Sequence, residues 1–321
     1  VRSRGLGDVY KRQWPGRDQP FRADAQSLSV ERKTLFRGWL LPAALVAPQL
    51  LITFVFFFWP AGQALVESTQ ATDAFGLSTI FVGASNFLAL LADPNYHAAI
   101  LRTAFFCVAV TILAMAAGLL FASFANRAIK GRFLYRTALI WPYAIAPALS
   151  SVIFVFLFQP QIGMITNVLA RFGVNFNYTA NGTQALGLVI LIAAWKQVSY
   201  NFIFYLAALQ SVPRSMLEAA TLDGARGLHR FRTMIWPMLM PTTLFLSVTN
   251  IVYAAFDTFD VIFALTGGGP GTSTDMLVVK VYRDGVINLD LGGSAAQSVL
   301  LMAGIIALTA LQMRLTRGRA I

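Results

Sequence analysis

Long apolar runs dominate this chain. Six of them reach the ~20 residues a helix needs to cross the hydrocarbon core of a bilayer: Trp39–Trp59, Thr103–Ala125, Leu139–Phe158, Ala185–Leu209, Leu239–Leu265 and Ser294–Met313. The pattern predicts an all-α integral membrane protein with six transmembrane helices. The first run is too long, and too rich in Phe at its end, for a cleaved signal peptide. No small-residue cleavage site precedes "PAGQALVEST", so it reads as a retained span. The outer connections, residues 61–99 and 159–184, are rich in Asn, Thr, Gly and Asp, as suits a wet face.

A different pattern interrupts this series between the fourth and fifth runs, in "LEAATLDGARGLHRFRTMIWP", Leu217 to Pro237. Ser211 is placed to cap a helix with Pro213 just inside it, where a missing N–H costs nothing. Met216, Leu217 and Ala220 then fall on one face, with Glu218 and Arg214 on or near the polar side. Gly224 supplies the left-handed turn that ends a helix. A second short helix carrying Arg226, Arg230 and Arg232 is expected to stop at Pro237, where the fifth span begins. An amphipathic helix resting on lipid headgroups fits part of this pattern. The small side chains of Ala219 and Ala220, beside a glycine turn, favour close packing against another protein.

Composition and charge agree with the spans and orient them. The 321 residues are 57% hydrophobic and 12% charged, whereas soluble domains have about 25% charged residues. The net charge of +11 would suggest nucleic acid in a soluble protein, but here its placement carries the meaning. Arg32, Lys33 and Arg37 precede the first span. Arg127, Lys130, Arg132 and Arg136 lie between the second and third, and Arg214, Arg226, Arg230 and Arg232 between the fourth and fifth. Arg314, Arg317 and Arg319 follow the last. All four segments share a side when six spans are threaded, and the positive-inside rule makes that side, with both termini, cytoplasmic. The expected organisation is a cytoplasmic tail over 1–38, a membrane domain over 39–313 with its cytoplasmic loop at about 211–237, and a tail over 314–321. Val1–Gln13 has neither an apolar run nor periodicity and reads as a non-native remnant or a disordered tail.

Metal and nucleotide chemistry find little to work with. Cys107 is the one cysteine and His97 and His229 are the two histidines, too few for a zinc-type cluster. "LTGGGPGTSTD", Leu265–Asp275, has Pro270 where a phosphate-binding loop needs Lys and Ser/Thr before a helix. No Walker sequence is present, so no catalytic residues and no directly bound cofactor are expected.

The motif "EAATLDG", followed at Pro237 by the proline, resembles the cytoplasmic loop of ABC-importer permeases. Glu218, Ala219, Ala220, Gly224 and Pro237 match at the family's spacing, while Met234 and Trp236 depart from its usual Ile and Leu. "LLPAALVAPQLLITFVFFFWPAGQAL", "FVGASNF", "WPYAIAPALSSVIFVFLFQPQIG", "WKQVSYNFIFYLAALQSVP" and "FDTFDVIFALTGGGP" carry the likeness from Trp39 to Arg314. They place it in the carbohydrate-uptake group, nearest to permeases of sn-glycerol-3-phosphate importers. The resemblance implies a type I importer permease fold in the bacterial inner membrane. It also implies a sister permease, a periplasmic binding protein, and two ATPase subunits that hold ATP and Mg. On it, Glu218, Ala219, Ala220, Asp223, Gly224 and Pro237 form the ATPase-coupling surface.

Polar side chains within spans are costly and mark candidate functional positions. The fourth span offers Trp195, Lys196, Gln197, Ser199, Tyr200 and Asn201. Counting back from Glu218, the resemblance places Lys196, Gln197 and Tyr200 on the substrate pathway, with Asn250, Tyr253 and Asp257 from the fifth span. The family's other positions there fall on Ile251, Ala254 and Ala255. An ammonium at Lys196 suits a phosphate; equally it snorkels, or pairs with Asp257 or Asp260. Gln297 suits an interhelical hydrogen bond, and Cys107 a small buried residue. Glycerol-3-phosphate or glycerophosphodiesters are the implied cargo. A neutral sugar or oligosaccharide, or a non-transporting scaffold, are the alternatives. A secondary transporter would need inverted repeats of broken helices, which the sequence does not display.

Overall fold

The computed structural model describes residues 39–73, 78–126, 131–222, 224 and 227–317. Two compact units divide at Phe58/Trp59. In the first, α1 (Leu40–Thr53) passes into a π-turn, Phe54–Phe58. It has no residue buried within the protein, and a helix apolar all round that lacks protein cover suits a lipid surround.

The second unit opens with α2 (Trp59–Glu67), then a small antiparallel hairpin of β1 (Gln70–Thr72) and β2 (Thr79–Phe81), with Gln70 opposite Phe81. Helix α3 (Ser85–Ala92) leads into α4 (Pro94–Ala125). Asp93 caps α4 by accepting from Asn95 N at 2.9 Å, with Pro94 at the first helical position. Next come α5 (Arg132–Ala144), α6 (Pro147–Phe158), α7 (Met164–Arg171) and α8 (Gly182–Gln210), the last capped by Asn181. Helices α9 (Arg214–Leu222) and α10 (Gly227–Arg230) precede α11 (Trp236–Phe256), α12 (Phe259–Thr266), α13 (Leu277–Tyr282) and α14 (Leu291–Arg317).

Among the described residues, five helical stretches are long and apolar enough to cross a membrane: Leu40–Glu67, Pro94–Ala125, Gly182–Gln210, Gly227–Phe256 and Leu291–Arg314. The predicted third span, Leu139–Phe158, is not one helix. Phe133–Ala144 and Pro147–Phe158 meet at 103°, and six spans result only if this bent pair counts as one. Two prolines explain the break. In a continuous helix the ring of Pro147 would strike the carbonyl four residues back, at Tyr143, which would also lose its donor. A residue before proline is pushed to extended backbone. Ala146 (φ −56°, ψ 141°) and Ile145 (φ −80°, ψ 130°) are extended accordingly. The predicted fifth span, Leu239–Leu265, is likewise two helices, with α11 ending at Phe256 and α12 starting at Phe259.

The segment between the fourth and fifth spans also differs from expectation. Ser211 does not cap α9; it ends α8, its Oγ donating to Ala208 O at 2.9 Å. The second helix does not stop at Pro237. A π-turn, Phe231–Ile235, joins α10 to α11, and the helix continues through the proline. The extra residue in that turn moves the facing carbonyls off the pyrrolidine ring. The π-turn Phe54–Phe58 stands at the same spacing ahead of Trp59–Pro60.

The core is held by α4 against α8, the largest helix–helix contact, with α11 packed on both. The buried face of α4 carries Tyr96, Phe106 and Val110 in its first half and narrows to the small residues Ala114, Gly118, Ala122 and Ala125 in its second. Without a hydrophobic drive between helices in lipid, such stripes let backbones approach and pack. Gly118 marks the tightest point, since a Cβ there would lie 2.5 Å from Asn201 Cβ and 3.1 Å from its main chain. Gly118→Ala is therefore expected to destabilise by roughly 1–3 kcal/mol through overpacking. A lowered unfolding temperature in detergent, absent for Gly187→Ala, where a Cβ meets nothing within 4 Å, checks it.

Candidate substrate cavity and coupling surface

The break between α5 and α6 faces the middle of α8, and a cavity of about 350 Å³ opens there. It is lined by Tyr143, Ile145, Pro147, Lys196, Gln197, Tyr200, Thr249, Val252, Tyr253 and Asp257. The structure thus gathers Lys196, Gln197, Tyr200, Tyr253 and Asp257 around one space. Tyr143, Ile145, Pro147, Thr249 and Val252 were not foreseen. The spacing of Pro142 and Pro147 in "WPYAIAP" is the signal that would have found the first three, because paired prolines inside an apolar run announce a break that exposes backbone.

Lys196 is buried, yet it pairs with neither Asp257 nor Asp260 among the described residues. Its Nζ donates instead to Ile145 O, with a longer contact to Pro142 O at 3.5 Å. These carbonyls belong to the last turn of α5 and the extended linker beyond it. A helix C-terminus carries orphan acceptors and partial negative charge, and no water is at hand in a bilayer core. The ammonium supplies both donors and compensating charge. Around it the lining carries aromatic rings: Tyr143 stacks on Tyr200 at 6.3 Å between centroids, and Tyr200 meets Phe204 behind it in a tilted pair at 4.7 Å. Tyr253 donates to Ala193 O at 3.4 Å.

Asn250 lies outside this lining. It is fully buried and exchanges two amide hydrogen bonds with Asn201, each 2.9 Å, while Asn201 Nδ2 reaches Gln197 O and Asn250 Nδ2 reaches Leu246 O. The pair fastens α8 to α11 and meets Gly118 of α4. Ser199 is buried, with no partner for its Oγ among the described residues. Ala254 and Ala255 are buried, while Ile251 faces a separate apolar crevice. Cys107 is buried as expected, and Gln297 donates to Asp284 Oδ2 at 2.6 Å.

At the other end of α11 the loop Gly267–Asp275 is no anion cradle. Arg283 donates to Asp275 Oδ2 at 2.9 Å and to Gly267 O at 3.0 Å, and Thr274 donates to Gly269 O at 2.8 Å. Burial pushes the Asp275 carboxyl above its ordinary range, while Arg283, Lys280 and Arg102 pull it down.

The coupling residues fall on α9 and the turn after it. Met216 and Leu217 are half-buried, Ala220 is fully buried, and Glu218 is exposed. This is the two-sided helix the spacing predicted. Ala219 lies on the same helix, and Asp223 is outside the described residues. Gly224 has φ +82° and stands in open space. Leu222 and Leu228, either side of that turn, are 90% and 79% exposed. Pro237 is exposed in the first turn of α11.

Residues 114–320 match the family described as "Binding-protein-dependent transport system inner membrane component". The sn-glycerol-3-phosphate transport system permease protein of Brucella abortus biovar 1 (strain 9-941) is 51% identical over 288 residues, covering 90% of this chain and 98% of that protein. The corresponding protein of Rhizobium meliloti (strain 1021) is 50% identical over the same coverage, and that of Yersinia pestis is 49% identical over 287 residues. Among solved structures, the chain is similar to a bacterial ABC transporter involved in the import of the acidic polysaccharide alginate, with TM-score 0.76 and 21% identity, covering 88% of this chain and 96% of that one. That likeness is one of fold.

The amide pair yields a test. Asn250→Leu leaves the Oδ1 of Asn201 buried without its donor and should cost about 1–3 kcal/mol, whereas Asn201→Leu together with Asn250→Leu removes both partners and should recover much of the loss. Thermal unfolding of the two single variants and the double variant in detergent reads this out.

Proposed function

The chain belongs to the family of binding-protein-dependent transport system inner membrane components, and from that premise we propose that it is a permease subunit moving sn-glycerol-3-phosphate, or glycerophosphodiesters, through an ATP-driven importer. The observation that carries the cargo is the near-complete coverage at 51% identity to a curated glycerol-3-phosphate permease. The cavity chemistry fits. Glycerol-3-phosphate has an anionic end and a hydroxyl-bearing end, and the lining offers one ammonium, Lys196, with Asp257, Gln197, Tyr200 and Tyr253 as hydrogen-bonding groups. An ammonium in a low-dielectric site suits a phosphate, and a carboxylate suits hydroxyl donors.

In this reading both termini are cytoplasmic and the cavity is shared with a sister permease. Cargo arrives from a periplasmic binding protein. Two ATPase subunits, which hold ATP and Mg, dock on the loop at 211–237 through Glu218, Ala219, Ala220, Asp223, Gly224 and Pro237. The exposed Leu222 and Leu228 add apolar contact there. Hydrolysis belongs to those subunits, and this chain supplies the path and the coupling helix. Asn250 supports the pathway indirectly, by fixing α8 and α11 on either side of it.

Expression of this chain with its sister permease, ATPase and binding protein, in a strain lacking its own importer, should restore uptake of labelled sn-glycerol-3-phosphate. Restored sugar uptake with glycerol-3-phosphate left outside would overturn the cargo. At the coupling turn, Gly224→Pro is incompatible with φ +82°; it should leave the protein inserted but abolish cargo-stimulated ATP hydrolysis and uptake. Gly224→Asn, which tolerates left-handed backbone, should keep most of both. Normal uptake by the proline variant would remove the coupling role.

A further inference from the structure

The broken span and the cavity meet at a single side chain. Lys196 Nζ lines the cavity and at the same time donates to Ile145 O, with Pro142 O at 3.5 Å. An ammonium has three N–H donors and no acceptor. Two carbonyls leave it one donor for an oxygen that enters the cavity. At the break the end of α5 presents carbonyl oxygens and a negative dipole end, while the start of α6 at Pro147 presents the positive one. Among the described residues Lys196 is the one cation on the lining, and each hydrogen bond an anionic oxygen draws from it weakens what holds the carbonyls of the break. The linker Ile145–Ala146 then shifts as its carbonyls find other donors.

We propose that Lys196 is a positioning residue that links occupation of the cavity to the bend between α5 and α6, its ammonium divided between the carbonyls of the break and an anionic oxygen of the cargo. This rests on the phosphate-bearing cargo inferred above. The hinge is suited to respond. Ile145 and Ala146 are extended, and α6 packs on α12 while α5 packs on α8, so the two halves of the broken span are seated on different helices. Asp257 is the other charged group on the lining. It repels the phosphate and leaves Lys196 as the one cationic contact there.

Three substitutions of Lys196 separate the parts of the proposal. Spin labels are placed at Leu134 and Phe156, exposed on α5 and α6, in a Cys107→Ala background within the assembled transporter. Without cargo, the Lys196 chain should give one narrow distance. Glycerol-3-phosphate should shift it, and glycerol should not. Lys196→Met removes both donors and charge, and should give a broad distance without cargo and no shift with it. Lys196→Gln keeps amide donors for the carbonyls and should remain narrow without cargo, yet fail to shift. Lys196→Arg should shift. Cargo stimulation of ATP hydrolysis should fall about tenfold or more in the Met and Gln variants, as loss of a charge-assisted hydrogen bond implies. A wild-type distance in cargo-free Lys196→Met would overturn the hold on the break, and a wild-type shift in Lys196→Gln would overturn the coupling. The cargo-free arm is independent of which molecule is imported. Failure of the unsubstituted transporter to take up glycerol-3-phosphate counts against the cargo alone.

Discussion

A main-chain carbonyl inside a bilayer must find its donor within the protein, because hydrocarbon offers none. This constraint bears hardest where the third apolar run is interrupted. Prolines at 142 and 147 forbid a continuous helix there, the chain turns through 103°, and Lys196 of α8 donates to the carbonyls of Ile145 and Pro142. The cavity exists because the break holds α6 away from the line of α5. The lysine is tolerated in the span because it satisfies what the break leaves open. One physical requirement therefore accounts for the kink, the buried charge and the space between them.

Prolines elsewhere show that the break is a matter of context. Pro237 sits in a helix that continues, preceded by a π-turn that widens the backbone around its ring. Pro142 and Pro147 come too close together for that remedy, since the residue before Pro147 is itself driven to extended backbone. The uninterrupted α10–α11 helix has a mechanical consequence. The turn at Gly224 lies one short helix away from a rod that leads to Asn250 and Tyr253, and under the proposed coupling role that rod is the path from the loop at 211–237 to the Asn201–Asn250 fastening.

Much of this was legible without coordinates. Apolar run length located the five helical stretches that are long and apolar enough to cross a membrane among the described residues. The two-sided character of α9 followed from Met216, Leu217 and Ala220 against Glu218. Lys196, Gln197, Tyr200, Tyr253 and Asp257 were selected because polar groups in spans are costly. Asn250 met the same criterion for a different reason. Its cost is offset by Asn201, a partner 49 residues away, and a one-dimensional pattern does not separate a polar residue that faces a cavity from one that faces its mate. Ser211 was misassigned because a helix start and a helix end both accept serine, and only the preceding helix, reaching Gln210, decides between them.

By itself the sequence determined the solvent of this protein, the stretches that cross it, the amphipathic helix between the fourth and fifth, and the cast of polar side chains, since those follow from transfer energies and local spacing. The partner of each polar group was decided by the tertiary structure alone. Lys196 turned from both aspartates to two carbonyls, and Asn250 turned from the cavity to Asn201, because which acceptor lies within reach of a donor depends on how α5, α8 and α11 are brought together. That is a property of the packed helices and not of any one of them.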